Sequence, residues 1–347
     1  MAVRHLIACL LSVCAMVEVC AVEKNPALER YHFQAALMGT RFQIVLYGKD
    51  QETATKAANA AFAIGKEVEK ACSDYDVTSE LMTLMKPPAS QKVSALLADV
   101  LEKSLAIAEE TNGAFDPTLG GHSWNWRRAR TREKLPTDEA IAAAIKISGW
   151  QHLTITKDKQ VRKAIPGMKL DLGGIAKGYA ADRMLEILRN NGIKRATVAA
   201  GGDVRLGDAP PNTNGWKVGL KTLASDPNEP QTRHPYLVLS NCAVSTSGDL
   251  HQFIEIDGLR YSHIVDPATG LGLTRRVSAT VVALTATRSD ALATACCVSP
   301  ELAKSMLEKD GVEKLLVITH DPDSDLTQTS SANFPKIHQP KTVPVEK

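Results

Sequence analysis

Apolar and polar residues alternate along residues 41–47, with Phe42, Ile44 and Leu46 on one side, and this period of two predicts a strand. The period then lengthens. Residues 53–72 are rich in alanine at helical spacing, and 93–110 repeat that pattern. Thr137 is placed to cap a helix that runs to about Ile147 and stops at Gly149. Residues 153–163 predict a hairpin around Lys157-Asp158-Lys159. Residues 176–190 are amphipathic, with Tyr179, Met184, Leu185 and Leu188 on one side and Gly192 following as a stop.

Strands dominate from there on. They are predicted over 195–199, 216–221, 236–244 and 277–284, and late in the chain over 315–319. Residues 253–262 predict a hairpin whose tip, Asp257-Gly258, is the pair favoured by tight type I′ turns. A helix is predicted from Ser289, and a second from Ser299-Pro300, a pair that fits the Ncap and N1 positions. Helices come first and strands cluster later, without the regular alternation of a doubly wound sheet. The pattern therefore predicts an α+β fold.

Both ends read differently from the middle. Arg4 and His5 precede an apolar run over 6–17, too short to span a bilayer comfortably, and Val19-Cys20-Ala21 resembles a cleavage site. Residues 1–21 are therefore expected to be a secretory signal peptide; a buried N-terminal helix is the alternative. Cys14 and Cys20 each follow valine instead of a small residue, which argues against a lipid anchor. The expectation is an exported, periplasmic protein with its domain over 22–325 and a polar, loosely held tail over 326–347.

The chain has 347 residues, and 41 basic against 39 acidic residues leave a net charge of +2. This balance offers no electrostatic case for nucleic acid or an anionic membrane, so an anionic substrate needs local groups. Of seven cysteines, Cys72, Cys242, Cys296 and Cys297 lie beyond the leader. Adjacent Cys296 and Cys297 point apart on a helix, and all four read as small apolar residues. The absence of a CxxC pair or a His/Cys cluster removes the case for zinc.

Several blocks can carry chemistry, and each also has an ordinary reading. Asp171-Leu-Gly-Gly-Ile-Ala-Lys-Gly178 enters a helix, where free N–H groups and the dipole favour phosphate and Lys177 adds a charge. It lacks both P-loop and GxGxxG spacing, and a Gly-rich turn with a solvated lysine would look the same. In Ser289-Asp-Ala-Leu-Ala-Thr294, Asp290 and Thr294 share a helix face and suit a hard cation such as Mg²⁺. Taken alone, the block is better accounted for by capping, since an aspartate in a first helical turn needs no metal. His263, in Tyr261-Ser-His-Ile-Val-Asp-Pro-Ala-Thr-Gly270, is either a proton acceptor or a histidine bonded to its own turn. Thr111-Asn-Gly-Ala-Phe-Asp-Pro-Thr118 presents Phe115 and Asp116 on a rigid turn. Ala200-Gly-Gly-Asp-Val204 lets backbone approach a ligand, and Met38-Gly-Thr40 either contacts a flat ring or seals the core.

In this order the blocks resemble the FAD:protein FMN transferase family, also called ApbE, over residues 35–320. The resemblance rests on Met38-Gly-Thr40, Ser73-Asp-Tyr75 with Ser79-Glu80, Gly113-Ala-Phe-Asp116, and Asp171 to Gly178. It continues through Gly201-Gly-Asp203, Ser245-Thr-Ser-Gly-Asp249, His263 to Gly270, and Asp290 to Thr294. It implies a single α+β domain with a T-fold-like core of mixed or antiparallel sheets and packed helices. It implies FAD as substrate and one or two Mg²⁺ ions, with metal ligands at Asp290, Thr294 and the Gly174 carbonyl. FAD contacts are implied at Met38, Tyr75, Ala114, Phe115, Asp116, Asp171, Lys177, His263 and Ile264. Two departures stand out: a Trp- and Arg-rich piece over 122–132 where the family often has a WGF-like segment, and Met85 where it often has Asn.

The implied reaction is a phosphoryl transfer. A Thr or Ser hydroxyl of an acceptor flavoprotein or redox-complex subunit attacks the FMN-side phosphorus, and AMP leaves. Lys177 and the helix N-terminus assist, and His263 activates the hydroxyl, with Asp171 as the rival base. Any membrane contact would come through the acceptor. An FAD pyrophosphatase giving FMN and AMP, and a non-catalytic exported flavin-binding protein, remain open beside it. A serine hydrolase is disfavoured because Ser245-Thr-Ser-Gly248 is no GxSxG elbow.

Overall fold

The structure, a computed structural model, describes residues 28–225, 234–250, 252–308, 313–320 and 325–340. In chain order the first half contains β1 (Glu29–Leu37), β2 (Thr40–Gly48), α1 (Gln51–Cys72), α2 (Glu80–Leu84), β3 (Ser90–Lys92), α3 (Ala95–Glu110), α4 (Gly120–Arg132), α5 (Asp138–Lys146), β4 (Leu153–Ile155), β5 (Gln160–Lys163) and α6 (Ala176–Asn190). The second half contains β6 (Ala196–Ala200), β7 (Asp203–Leu206), β8 (Trp216–Gly219), β9 (Tyr236–Leu239), β10 (Ala243–Gly248), β11 (Phe253–Ile256), β12 (Leu259–Ser262), β13 (Arg276–Ala283), α7 (Ala286–Val298), α8 (Pro300–Glu308), β14 (Lys314–His320) and β15 (Thr327–Ser330).

An eight-stranded antiparallel sheet, ordered β1-β2-β6-β7-β10-β13-β14-β15, organises the molecule. Alternation divides its side chains between two faces. Phe42, Ile44 and Leu46 of β2, Ala196, Val198 and Ala200 of β6, and Ala279 and Val281 of β13 join the main core. Helices α1, α6 and α7 bury their apolar stripes against that face, α6 through Tyr179, Met184, Leu185 and Leu188. The opposite face carries Leu206, Val244, Val282, Leu316 and Ile318, and packs against Trp216, Val218 and Leu237 of the separate β8–β9 ribbon. This is a mixed α+β single domain with antiparallel sheets and packed helices.

Gly178 sets how closely α6 and α7 approach. A Cβ there would lie 2.2 Å from the Ala286 carbonyl oxygen and 2.9 Å from Asp290 Cβ, so only glycine fits the junction. The β6–β7 turn is Gly201-Gly202, and Gly201 has φ +66°. Both glycines lie where the functional cleft opens.

Several elements differ from the sequence reading. β1 and α4 were not predicted. The stretch 236–244 is two strands, because Asn241 turns at φ +53° between them. The helix expected from Ser289 starts three residues earlier at Ala286, where Thr285 accepts the Arg288 N–H. Ser289 is buried instead and shares a 2.8 Å hydrogen bond with Ser245. In the stretch read as a loose tail, β15 extends the main sheet, Phe334 and Ile337 pack on its second face, and His338 stacks on Tyr236. Cys72, Cys242, Cys296 and Cys297 are free thiols. Burial pushes Cys72 up to about 12 and Cys242 up to about 11, so they behave as inert packing groups. The proposed signal peptide lies outside the described residues.

Candidate functional site

A cleft of about 1670 Å³ runs between the starts of α6 and α7 and round the end of the main sheet. Met38, Tyr75, Ala114, Phe115, Asp116, Asp171, Gly174, Lys177, His263, Ile264, Asp290 and Thr294 all line it. These residues come from six separate stretches of chain, and folding brings every one to the same cavity.

The centre is a charge cluster on the α6–α7 junction. The first turn of α6 has no side-chain cap: Ala176 N–H donates to the Leu172 carbonyl at 2.8 Å, and Gly178 N–H donates to Asp290 Oδ2 at 3.1 Å. Lys177 Nζ lies 3.3 Å from Asp290 Oδ2, 3.3 Å from Asp203 Oδ2 and 3.0 Å from the Gly173 carbonyl. Asp290 and Asp203 are 3% and 4% exposed. Burial and then the Asp203 charge push the Asp290 carboxyl up to about 7, despite Lys177 and the Gly178 N–H. Burial opposes the charge on Lys177, yet Asp203 and Asp290 outweigh it and hold the ammonium protonated. Capping does not explain Asp290: it sits in the second turn of α7 and bonds across to α6.

This cluster fits a hard divalent cation. Two buried carboxylates share one lysine, which leaves excess negative charge in a low-dielectric site. Thr294 Oγ1 is one helical turn from Asp290 and 3.1 Å from Ser247 Oγ. A Cβ on Gly174 would stand 3.5 Å from Thr294 Oγ1, so the Gly174 backbone lies against that hydroxyl. The donor set of carboxylate, hydroxyl and backbone carbonyl is all oxygen, which suits Mg²⁺. Among the described residues no group of three His, Cys, Asp or Glu side chains could hold a metal ion, so this site relies on Asp290 together with hydroxyl and carbonyl oxygens.

The base candidates separate on their hydrogen bonds. Asp171 is occupied: Oδ1 accepts the Gly173 N–H at 2.7 Å, and Oδ2 accepts from the Ser123 hydroxyl. His263 Nδ1 lies 3.1 Å from the Gln252 carbonyl, which can only accept, so the proton sits on Nδ1 and Nε2 keeps a free lone pair. Enclosure in the cleft lowers the imidazole pKa, and the positive charges of Arg130 and Lys177 lower it further. The His263 imidazole is thus neutral near pH 7.

The remaining predicted residues shape the walls. Phe115 is buried against Gly174. Asp116 is committed to its own turn, accepting from the Thr118 N–H and hydroxyl and from the Trp150 N–H at 3.1 Å. Tyr75 is 74% exposed, with the Arg127 guanidinium 3.8 Å from its ring centroid. Arg127 also binds Asp74 at 2.5 Å, while burial and the Asp171 charge raise the Asp74 carboxyl to about 6.

Sequence reading missed Asp203 as a charge partner of Lys177, because Ala200-Gly-Gly-Asp-Val204 suggested only backbone approach. It also left Ser123, Arg127 and Arg130 without a role. Their signal was present: Ser123, Arg127 and Arg130 recur at spacings of four and three, one face of a helix, and α4 presents that face to the cleft.

Comparison with known proteins points to one family. The ApbE family model matches residues 38–316. A FAD:protein FMN transferase of Treponema pallidum is 32% identical over 306 residues, covering 82% of this chain and 83% of its own. One from Escherichia coli K12 is 30% identical over 318 residues, with coverage of 88% and 89%. Among solved structures, the flavin transferase ApbE from Vibrio cholerae superposes with TM-score 0.74 at 27% identity, covering 88% of this chain and 98% of its own. The ApbE protein from Thermotoga maritima gives 0.75 at 30% identity, with coverage of 87% and 97%.

Proposed function

The chain belongs to the ApbE family, and from that premise we propose that it transfers the FMN half of FAD to a Thr or Ser hydroxyl of an acceptor protein, releasing AMP. The observation that carries this reading is the lysine shared by two buried carboxylates beside the uncapped start of α6. That constellation suits a pyrophosphate and a hard cation together.

FAD lies along the helix side of the cleft, between Met38, Tyr75, the 114–116 turn, Asp171 and Lys177. The positive end of the α6 dipole and the Lys177 ammonium hold the pyrophosphate oxygens. Mg²⁺ bound by Asp290, Thr294 and the Gly174 carbonyl would supply charge neutralisation at the pyrophosphate. His263 Nε2 takes the proton of the acceptor hydroxyl as its oxygen bonds to the FMN-side phosphorus. The bond from that phosphorus to the bridging oxygen breaks, and AMP departs with the bonding pair. Asp171 organises the Gly173 turn and does not act as the base.

The test is incubation with FAD, Mg²⁺ and a candidate acceptor, followed by intact-mass measurement. The acceptor is expected to gain the mass of FMN less water, and Asp290→Ala to gain none. Full modification by Asp290→Ala in a magnesium-dependent assay would remove the metal assignment. AMP release from FAD without acceptor modification would favour the pyrophosphatase, and FAD bound unchanged the carrier. We also propose export to the periplasm, supported by the charge and apolar pattern of residues 1–21. N-terminal sequencing of the secreted protein is expected to begin at Val22.

A further inference from the structure

The cleft has a second arm that the FAD contacts above leave unused. It runs past Gly201-Gly202 onto the sheet face opposite the helices, between that face and the β8–β9 ribbon. Two features mark it as a built site. His234 lines it, is 3% exposed, and neither ring nitrogen has a hydrogen-bond partner among the described residues. Thr197, on β6, lines it too, and its buried hydroxyl likewise has no partner among them. A buried polar group left unpaired costs about 1–3 kcal/mol, so three such atoms in one arm mark a place where a ligand completes the bonding.

The arm's other features say what that ligand is. Among the described residues β8 pairs with β9 on one side only, and Trp216, Lys217, Val218 and Gly219 of β8 all line the arm. An unpaired strand edge offers alternating N–H and C=O groups, which another polypeptide matches and a nucleotide does not. Lys217 and Lys221 supply positive charge, and the described residues of this arm include no carboxylate. A cleft of about 1670 Å³ also exceeds the roughly 300–1,000 Å³ of a site for one small ligand.

We propose that this arm is the acceptor groove: it takes an extended polypeptide segment, acidic near its target hydroxyl, that adds to the free edge of β8 and completes the bonding of His234 and Thr197. The segment enters along the sheet face and delivers its hydroxyl past Gly201-Gly202 to the phosphorus. The proposal rests on the transferase reading and assigns its second substrate.

The test uses the full chain loaded with FAD and a randomised peptide library with one fixed central threonine. Peptides retained by the wild type are sequenced by mass spectrometry, and FAD affinity is read separately from flavin fluorescence. Retained peptides are expected to be enriched in Asp and Glu beside the threonine. Lys217→Glu with Lys221→Glu is expected to weaken the retained pool roughly tenfold. His234→Leu is expected to weaken it as well, and all variants to bind FAD within about twofold of wild type. Retention without acidic enrichment, or a pool bound equally by the variants, overturns the proposal. Parallel loss of FAD affinity also overturns it, because the arm would then hold the nucleotide. Failure of the wild type to bind or cleave FAD at all would instead strike the transferase reading.

Discussion

Lys177→Met isolates the central charge cluster. Methionine keeps the length of the stem and removes the charge. Asp203 and Asp290 then lose the one ion-pair partner each has among the described residues, 3.3 Å away in both cases. Their side chains are 6% and 4% exposed, whereas that of Lys177 is 28% exposed. Removing one partner from a buried pair costs about 3–5 kcal/mol, and the partial exposure of Lys177 sets the expectation near ~3 kcal/mol. The loss depends on pH in a defined direction. The Asp290 carboxyl, already pushed up to about 7, takes a proton as pH falls, so the penalty is largest at about pH 8 and shrinks by about pH 5.5. Adding Asp203→Asn removes one of the two orphaned charges and is expected to restore about 1–2 kcal/mol. Urea unfolding in EDTA at both pH values measures all three variants. A Lys177→Met protein within about 1 kcal/mol of wild type at the higher pH would refute the reasoning. Simple additivity of the two substitutions in the double variant would refute it too. Transfer by Lys177→Met is expected to fall about 10²–10³-fold in kcat, as when one preorganised donor to the transition state is removed.

Three further outcomes follow from other parts of the structure. Gly178→Ala forces a methyl to 2.2 Å from the Ala286 oxygen, so α6 and α7 must separate; at least ~1–3 kcal/mol of stability and most of the activity should go, read by urea midpoint and mass assay. His263→Gln should lower transfer about 10²–10⁴-fold with FAD affinity retained. Because the pKa of His263 is lowered, wild-type kcat/KM measured in saturating Mg²⁺, which keeps Asp290 ionised, should hold as pH falls past the ordinary histidine value of about 6.5 and drop only below it; an acid limb at or above neutral that His263→Gln removes would contradict the assignment. His122 is 1% exposed, and burial lowers its pKa, partly offset by the Gly270 backbone. The unfolded chain therefore takes the proton first, and stability should decline as pH falls from about 6.5 toward the folded pKa; His122→Leu should flatten that decline in unfolding curves.

Elements with a strong period were legible in the chain. Residues 176–190 form α6 as the stripe of Tyr179, Met184, Leu185 and Leu188 required, and Asp257-Gly258 makes its hairpin turn with both φ angles positive. Ser299-Pro300 opens α8 for the same local reason: Ser299 accepts the Leu302 N–H. Elements whose pattern reflects long-range pairing were not legible. β1 has little buried surface of its own and exists because β2 pairs along its whole length. Residues 327–330 are exposed and polar, and become β15 only because β14 offers an edge.

The same division runs through the site. The residue types for phosphate, metal and base chemistry stand in short blocks that a reader of the chain can pick out, since each depends on local backbone geometry. What the blocks do was undecided at that level. Asp290 reads equally as a cap until the Gly178 contact brings α6 to it, and Asp203 reads as part of a glycine turn until Lys177 reaches across. Asp171 and His263 look alike as candidate bases in the chain; the fold gives Asp171 hydrogen bonds from Ser123 and Gly173 and sets His263 Nδ1 against the Gln252 carbonyl. Sequence determined the helices, the turns and the chemical groups, because those follow from spacing and backbone preference within a few residues. Tertiary structure alone decided which groups share charge, which lone pair stays free and where the second arm of the cleft lies. Burial and Coulomb interactions act across space between segments that the chain keeps far apart.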